Sequence, residues 1–234
     1  MHSIIKQASD EGRNFLTELE SKEILGQVGI TVNDTRLTRS KAEAVIIAGQ
    51  LGFPVVLKIN SPDIVHKSDA GGIKLDLQTA EQVEAAYDEI MSSCTSKHPQ
   101  ADIHGVSVQQ AIPPGTELII GMFRDPQFGP VLLFGLGGVW TEVLEDTSLR
   151  ITPIIRKDAR EMIEETKVCR LLTGYRGQEP ADIGKIEDML LALSDLVENN
   201  PLIKEVDINP VITSGKNIVA VDGRIVLEKQ NKNA

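Results

Sequence analysis

Residues 52–77 constrain the fold more than any other stretch of this chain. Val55, Val56 and Leu57 form an apolar run bounded by Pro54 and Pro62, too short for a helix, so it reads as a strand. Lys58 continues that strand, and a lysine there either snorkels at an edge or points at an anion. A loop of small and charged residues follows, from His66-Lys67-Ser68-Asp69 to Ala70-Gly71-Gly72. Ile73, Leu75 and Leu77 then alternate with Lys74 and Asp76, the period of a second, half-buried strand. A lysine on one strand and a glycine pair in the connection suit a phosphate cover. Glycines admit close backbone N–H approach, and an ammonium is a compact positive charge.

Around this hairpin the spacing predicts mixed strands and helices. Thr17-Glu18-Leu19-Glu20, Ser40-Lys41-Ala42-Glu43 and Thr79-Ala80-Glu81-Gln82 read as helix starts, and Gly29 and Gly52 as stops for the first two. Residues 30–37 read as extended. Pro113-Pro114-Gly115 is a strong break. Beyond it, strands are expected over 117–122 and 130–134, a tight turn at Gly135-Leu136-Gly137-Gly138, and helices over 157–166 and 181–199. Strands at 203–207, 218–221 and 225–227 finish the chain, with Asp222-Gly223 as a type I′ hairpin signal. The absence of a regular βαβ rhythm favours an α+β architecture. The division expected is a lead-in over 1–16, subdomains over 17–112 and 113–229, and a tail over 230–234.

A net charge of −10 and the lack of any basic run argue against a nucleic-acid surface. No apolar run approaches the ~20 residues that span a bilayer, so no membrane role is expected. Cys94 and Cys169 stand far apart without paired spacing, which fits reduced thiols in a cytoplasmic protein. No Walker-type P-loop is present, and Gly135-Leu136-Gly137-Gly138 lacks the third glycine of a dinucleotide fingerprint.

Glu205, Asp207 and Asn209 occupy alternate positions, so a strand would turn all three to one face. Oxygen ligands on a rigid strand suit Mg²⁺, and Asp222 on the next strand can return to the same place. An ordinary solvated strand face is the competing interpretation.

Taken in order, these motifs resemble a known family. Lys58, the His66–Gly72 loop, residues 109–117, the run from Phe134 through Glu142 to Arg150-Ile151-Thr152-Pro153, and Asp207-Ile208-Asn209-Pro210 resemble the ATP-grasp beta subunit of ADP-forming acyl-CoA synthetases. Acetate–CoA ligase (ADP-forming) is the type most resembled, with succinyl-CoA synthetase more distant. The resemblance covers about residues 14–229. It implies an ATP-grasp fold in which two α+β subdomains clamp ATP or ADP.

The resemblance also implies roles. Lys58 contacts the α/β-phosphates, and Ser68, Asp69, Gly71 and Gly72 belong to a lid over them. Gln110 and Ile112 hold the adenine edge through backbone groups, and Glu117 lies near the ribose. Arg150 reaches the γ-phosphate, and Asn209 and Asp222 are Mg²⁺ ligands. His66 is a transiently phosphorylated carrier, with Asp207 orienting it or balancing its charge. The implied reaction is acyl-CoA + ADP + phosphate ⇌ carboxylic acid + CoA + ATP. It needs a CoA-binding alpha subunit, expected in an alpha2beta2 heterotetramer. Two rivals are a carboxylate ligase that forms acyl phosphate directly and a non-catalytic nucleotide-sensing subunit. His2, His98 and His104 receive no role, and Trp140 and Cys169 are expected to pack in the core.

Overall fold

The structure, a computed structural model, describes residues 3–64, 66–138, 146–177 and 179–228. His2, Trp140, Glu142 and the tail at 230–234 lie outside them. The chain divides into two compact units, one of residues 1–32 with 113–234 and one of residues 33–112.

Helices α1 (Ser3–Asp10) and α2 (Glu18–Gln27) belong to the larger unit. Thr17 opens α2 through a reciprocal box: Glu20 N–H donates to Thr17 Oγ1 at 3.3 Å, and Thr17 N–H donates to Glu20 Oε2 at 2.7 Å. Ile24 and Leu25 are buried in one cluster with Ile225 and Leu227, and Leu16 N–H donates to Ile225 O. This corrects the boundary expected at residue 17, because residues 17–32 pack with the C-terminal unit rather than with residues 33–112. An apolar helix stripe shows that a core exists, not which core receives it.

The smaller unit contains β1 (Thr35–Thr38), α3 (Lys41–Leu51), β2 (Val55–Asn60), β3 (Ile73–Leu77), α4 (Ala80–Lys97) and β4 (Gly105–Gln110). Its antiparallel sheet has the order β1-β4-β2-β3. Val55, Leu57, Ile59, Val106 and Val108 bury one face against Ala44 and Ala48 of α3 and Val83 and Ile90 of α4. Each such side chain contributes roughly 1.5–3 kcal/mol on leaving water. The extended stretch expected over 30–37 yields a strand only from Thr35.

The larger unit continues with β5 (Thr116–Asp125), β6 (Gly129–Leu136), β7 (Thr147–Ile151), α5 (Arg156–Glu164), α6 (Cys169–Leu172), α7 (Ile183–Asn199), β8 (Ile203–Ser214), β9 (Asn217–Ala220) and β10 (Arg224–Leu227). The sheet order is β10-β8-β5-β6-β7, with β9 also on β8, and every pairing is antiparallel. Leu118, Ile120, Met122, Leu132 and Phe134 share a buried cluster with Met162 and Ile163 of α5 and Ile186, Leu190 and Leu193 of α7.

Two strand expectations change. The reversal expected at Asp222-Gly223 is not a hairpin, because β9 and β10 lie end to end along β8. The tight turn is at Gly215-Lys216, between the paired residues Ser214 and Asn217, and Gly215 has φ +55°. A positive φ at the first of two turn residues is the glycine requirement of a II′ hairpin. Strand β7 was not expected at all. It buries Ser148 and exposes Leu149 and Ile151, so its hydrophobic alternation is inverted. Among the described residues no helix is long and apolar enough to cross a membrane, and the sheet-and-helix arrangement is α+β.

Candidate functional site

In the smaller unit, Lys58 is only 5% exposed, on the sheet face opposite the apolar core. Strand register pairs it with Ser107 on β4 and Ile73 on β3. Around it runs a buried polar row. Ser107 Oγ donates to Lys58 O at 3.3 Å, Gln109 Nε2 donates to Ser107 Oγ at 3.2 Å, and Asn33 Nδ2 donates to Gln110 O at 3.1 Å. Asn33, Asn60, Ser107 and Gln109 are all buried. Asn60, Ser107 and Gln109 interrupt otherwise apolar strands, which is the signal the sequence offers for them.

The His66 loop is one helical turn. Ala70 N–H donates to His66 O, Gly71 N–H to Ser68 O at 3.0 Å and Gly72 N–H to Lys67 O at 2.7 Å. With Gly71 at φ +73°, this is a Schellman closure. The histidine ring is exposed at the open end, Ser68 and Asp69 are exposed beside it, and Ala70 is buried at the other end. As placed, Gly71 and Gly72 spend both N–H groups inside the turn, so donation to phosphate requires the turn to open. Gln110 is similarly occupied: its N–H donates to Asp34 O, and its carbonyl accepts from Asn33. Ile112 is half-buried at the end of the unit.

In the larger unit, Asn209 and Asp222 come together at an interruption of the ladder. Leu118 pairs with Val211 and Ile120 with Ile208, so Asn209-Pro210 bulges opposite Ile119. Pro210 has no N–H to give the ladder. Between β9 and β10, Val221 N–H donates to Pro210 O at 3.0 Å, which sets Asp222 beside the bulge. Asn209 therefore leaves the simple alternation expected of it, whereas Glu205 and Asp207 keep it, opposite Phe123 and Gly121.

Glycines 137 and 138 position the amide. Gly137 N–H donates to Glu117 O at 2.8 Å, and Gly138 N–H donates to Asn209 Oδ1 at 2.9 Å. A Cβ on Gly138 would stand 1.7 Å from Glu117 Oε2, and one on Gly137 would stand 2.4 Å from Leu118 backbone atoms. Asn209 Oδ1 keeps a second lone pair.

Burial pushes the Asp207 carboxyl above its ordinary value, opposed by Arg224 and reinforced by Glu205 and Asp222. Its Oδ1 is buried without a hydrogen-bond partner among the described residues. This concentrated negative charge, with an orphaned oxygen, fits a divalent cation. Among the described residues no three His, Cys, Asp or Glu side chains form a cage. Asn209 and Asp222 would suit Mg²⁺, which takes one or two protein donors while phosphate and water complete its shell.

Glu117 lines a cavity of about 830 Å³ within the larger unit, together with Thr116, Leu136, Leu172, Glu179 and Gly215. Small-molecule sites have volumes of roughly 300–1,000 Å³. Arg150 is placed differently from its expected phosphate role. Its Nη1 and Nη2 donate to the two Glu165 carboxylate oxygens at 3.0 and 2.5 Å, which also holds Glu165 below the usual carboxylate range. A bidentate fork of that kind occupies the guanidinium.

A family model described as an ATP-grasp domain matches residues 7–227. This chain belongs to the ATP-grasp family. Within the family it is 44% identical over 224 residues to the acetate–CoA ligase (ADP-forming) I beta subunit of Pyrococcus furiosus, covering 96% of each chain. A structure of the Ca. Korarchaeum cryptofilum acetyl-coenzyme A synthetase 1, in complex with coenzyme A, Ca-AMPCP and HgCl+, superposes with a TM-score of 0.92. Its sequence identity is 48%, over 96% of this chain and 98% of that one. Two further structures of that Korarchaeum protein have TM-scores of 0.87 and 0.85. In one, a phosphorylated phosphohistidine segment is in a site I orientation; in the other, bound to Mg-AMPPCP, it points towards the nucleotide-binding site.

Proposed function

We propose that this chain is the nucleotide-binding beta subunit of an ADP-forming acyl-CoA synthetase of the acetate–CoA ligase type. The observation that carries the reading is His66: an exposed imidazole at the open end of an otherwise anchored turn. In the ATP-forming direction, a phosphoryl group on His66 passes to a β-phosphate oxygen of ADP. The P–N bond breaks as the new P–O bond forms, and the imidazole returns neutral. In reverse, the imidazole nitrogen attacks the γ-phosphorus and ADP leaves.

Lys58 neutralises the α/β-phosphates as a point charge, and the buried polar row fixes its strand. Glu117 accepts from the ribose hydroxyls, and the end of β4 through Gln110 and Ile112 meets the base. Asp207 stabilises the imidazolium form of the carrier. Asn209 and Asp222 would hold Mg²⁺, which would supply neutralisation of the charge on the phosphate oxygens. Arg150 is left out, because Glu165 occupies it.

The CoA and acyl sites belong to a partner alpha subunit, in an alpha2beta2 assembly in the cytoplasm. The beta-subunit name of the Pyrococcus relative supports a partner of this kind. The test is His66→Ala assembled with that partner. Wild type incubated with ATP radiolabelled at the γ-position should give an acid-labile, base-stable protein adduct. The variant should give none and should lose ATP synthesis. Full activity in the variant points instead to a ligase that forms acyl phosphate directly. Nucleotide binding with no adduct in any protein points to a sensing subunit.

A further inference from the structure

We infer that Ser93 and Lys97, in the last turn of α4, form a latch on the His66 turn and that its release times the movement of the phosphoryl carrier. A helical turn leaves its last carbonyls without partners. Here they are met from α4: Ser93 Oγ donates to Ala70 O at 2.8 Å, and Lys97 Nζ donates to Asp69 O at 2.8 Å. The two side chains are four residues apart and share one helix face. A lysine ammonium at the C-terminal end of a helical turn also meets the negative end of its dipole.

The remaining anchors lie at the same end. Ala70 is buried, and Ile59 N–H donates to Gly72 O at 2.7 Å. A Cβ on Gly71 would stand 2.6 Å from Ser93 Oγ, and one on Gly72 would stand 2.5 Å from Ile59 Cγ2, so the turn seats closely. At the other end His66 contributes its carbonyl to the turn, and its ring has no hydrogen bond among the described residues. The asymmetry is that of a hinged arm. The imidazole at one end is exposed, and the far end is held by polar contacts that water can replace. Lys97 is exposed and Ser93 half-buried, so water can take over either bond. The Korarchaeum relative has its segment in two orientations. In this chain the Ser93 and Lys97 bonds belong to one seated state of the turn and must break for another.

The inference rests on His66 being the carrier, and the test separates the two. The full complex with its partner subunit is compared as wild type, as the Ser93→Ala/Lys97→Met double variant and as Lys97→Arg. Amide hydrogen exchange across residues 66–72 should accelerate about tenfold in the double variant, with the rest of α4 unchanged. Lys97→Arg should restore protection. The phosphorylation of His66 by ATP and its partner-dependent discharge should change by several-fold in opposite directions. Unchanged exchange, or a parallel fall in both half-reactions, overturns the latch. A wild-type complex that never forms phosphohistidine overturns the carrier reading, while the exchange data still decide the latch.

Discussion

Asp207 lies directly across the ladder from Arg224, yet Arg224 Nη2 donates to Glu205 Oε1 at 2.9 Å and the buried Asp207 Oδ1 has no partner among the described residues. An ionised carboxylate in that position costs stability. Its folded-state pKa is raised, so protonation favours the native state. The favourable contribution is present below the unfolded value and disappears as pH rises through the raised one. Asp207→Asn should therefore stabilise the protein by ~1 kcal/mol at pH 7, a gain of ~2–4 °C in melting temperature. The gain should shrink as pH falls through the carboxyl range. Phosphoryl transfer should fall at least tenfold in the same variant. Melting curves at pH 7 and about 4.5, with the half-reaction rate, check both; a variant less stable than wild type at pH 7 refutes the sign.

Gly138 fixes Asn209 through its N–H at 2.9 Å, with φ +65° and Glu117 against the vacant Cβ position. Gly138→Ala should drive Glu117 and Asn209 apart at once. A loss of ~1–3 kcal/mol in stability is expected from strain in the left-handed region. The more telling change is a weaker Mg²⁺ dependence of ADP affinity, measured by calorimetric titration over a range of magnesium. Unaltered magnesium dependence would show that Asn209 is not held for the ion.

Much of this arrangement was legible locally. Thr17, Ser40 and Thr79 announced their helices, because a capping side chain and its target lie within one turn of sequence. The β2 and β3 strands and the His66 loop were legible for the same reason. Other features depend on distant sequence. Residues 17–32 could not reveal that Ile225 and Leu227 would receive Ile24 and Leu25. The Asn209 bulge is defined by its register against β5, and the polar row of Asn33, Gln109 and Ser107 spans 76 residues. Nothing near Arg150 in sequence announces its partner, because Glu165 lies 15 residues away.

That pairing separates a structural from a catalytic arginine. If the fork to Glu165 is its work, Arg150→Ala and Glu165→Ala should each cost no more than ~1 kcal/mol in stability, as partly exposed pairs do. ADP affinity should change less than about threefold in both. A γ-phosphate role predicts a different pattern: Arg150→Ala abolishes phosphohistidine formation while Glu165→Ala leaves it intact. Single-turnover labelling of both variants distinguishes the two.

Lys58 is a cation 5% exposed in the middle of a strand, where burial of a charge opposes folding. Its surroundings reduce that cost, since it has an interaction partner and Ser107 supports its backbone. Lys58→Met keeps the length of the stem and removes the charge. Without nucleotide, the melting temperature should fall by several degrees, because removing one member of a buried interaction leaves its partner uncompensated. Added ADP at a hundred times the wild-type Kd stabilises a competent protein by ~2.7 kcal/mol. The variant should lose most of that shift, because the charge that meets the phosphates is gone. A variant that melts lower than wild type but keeps its full ADP-dependent shift would make Lys58 a folding residue rather than a phosphate ligand.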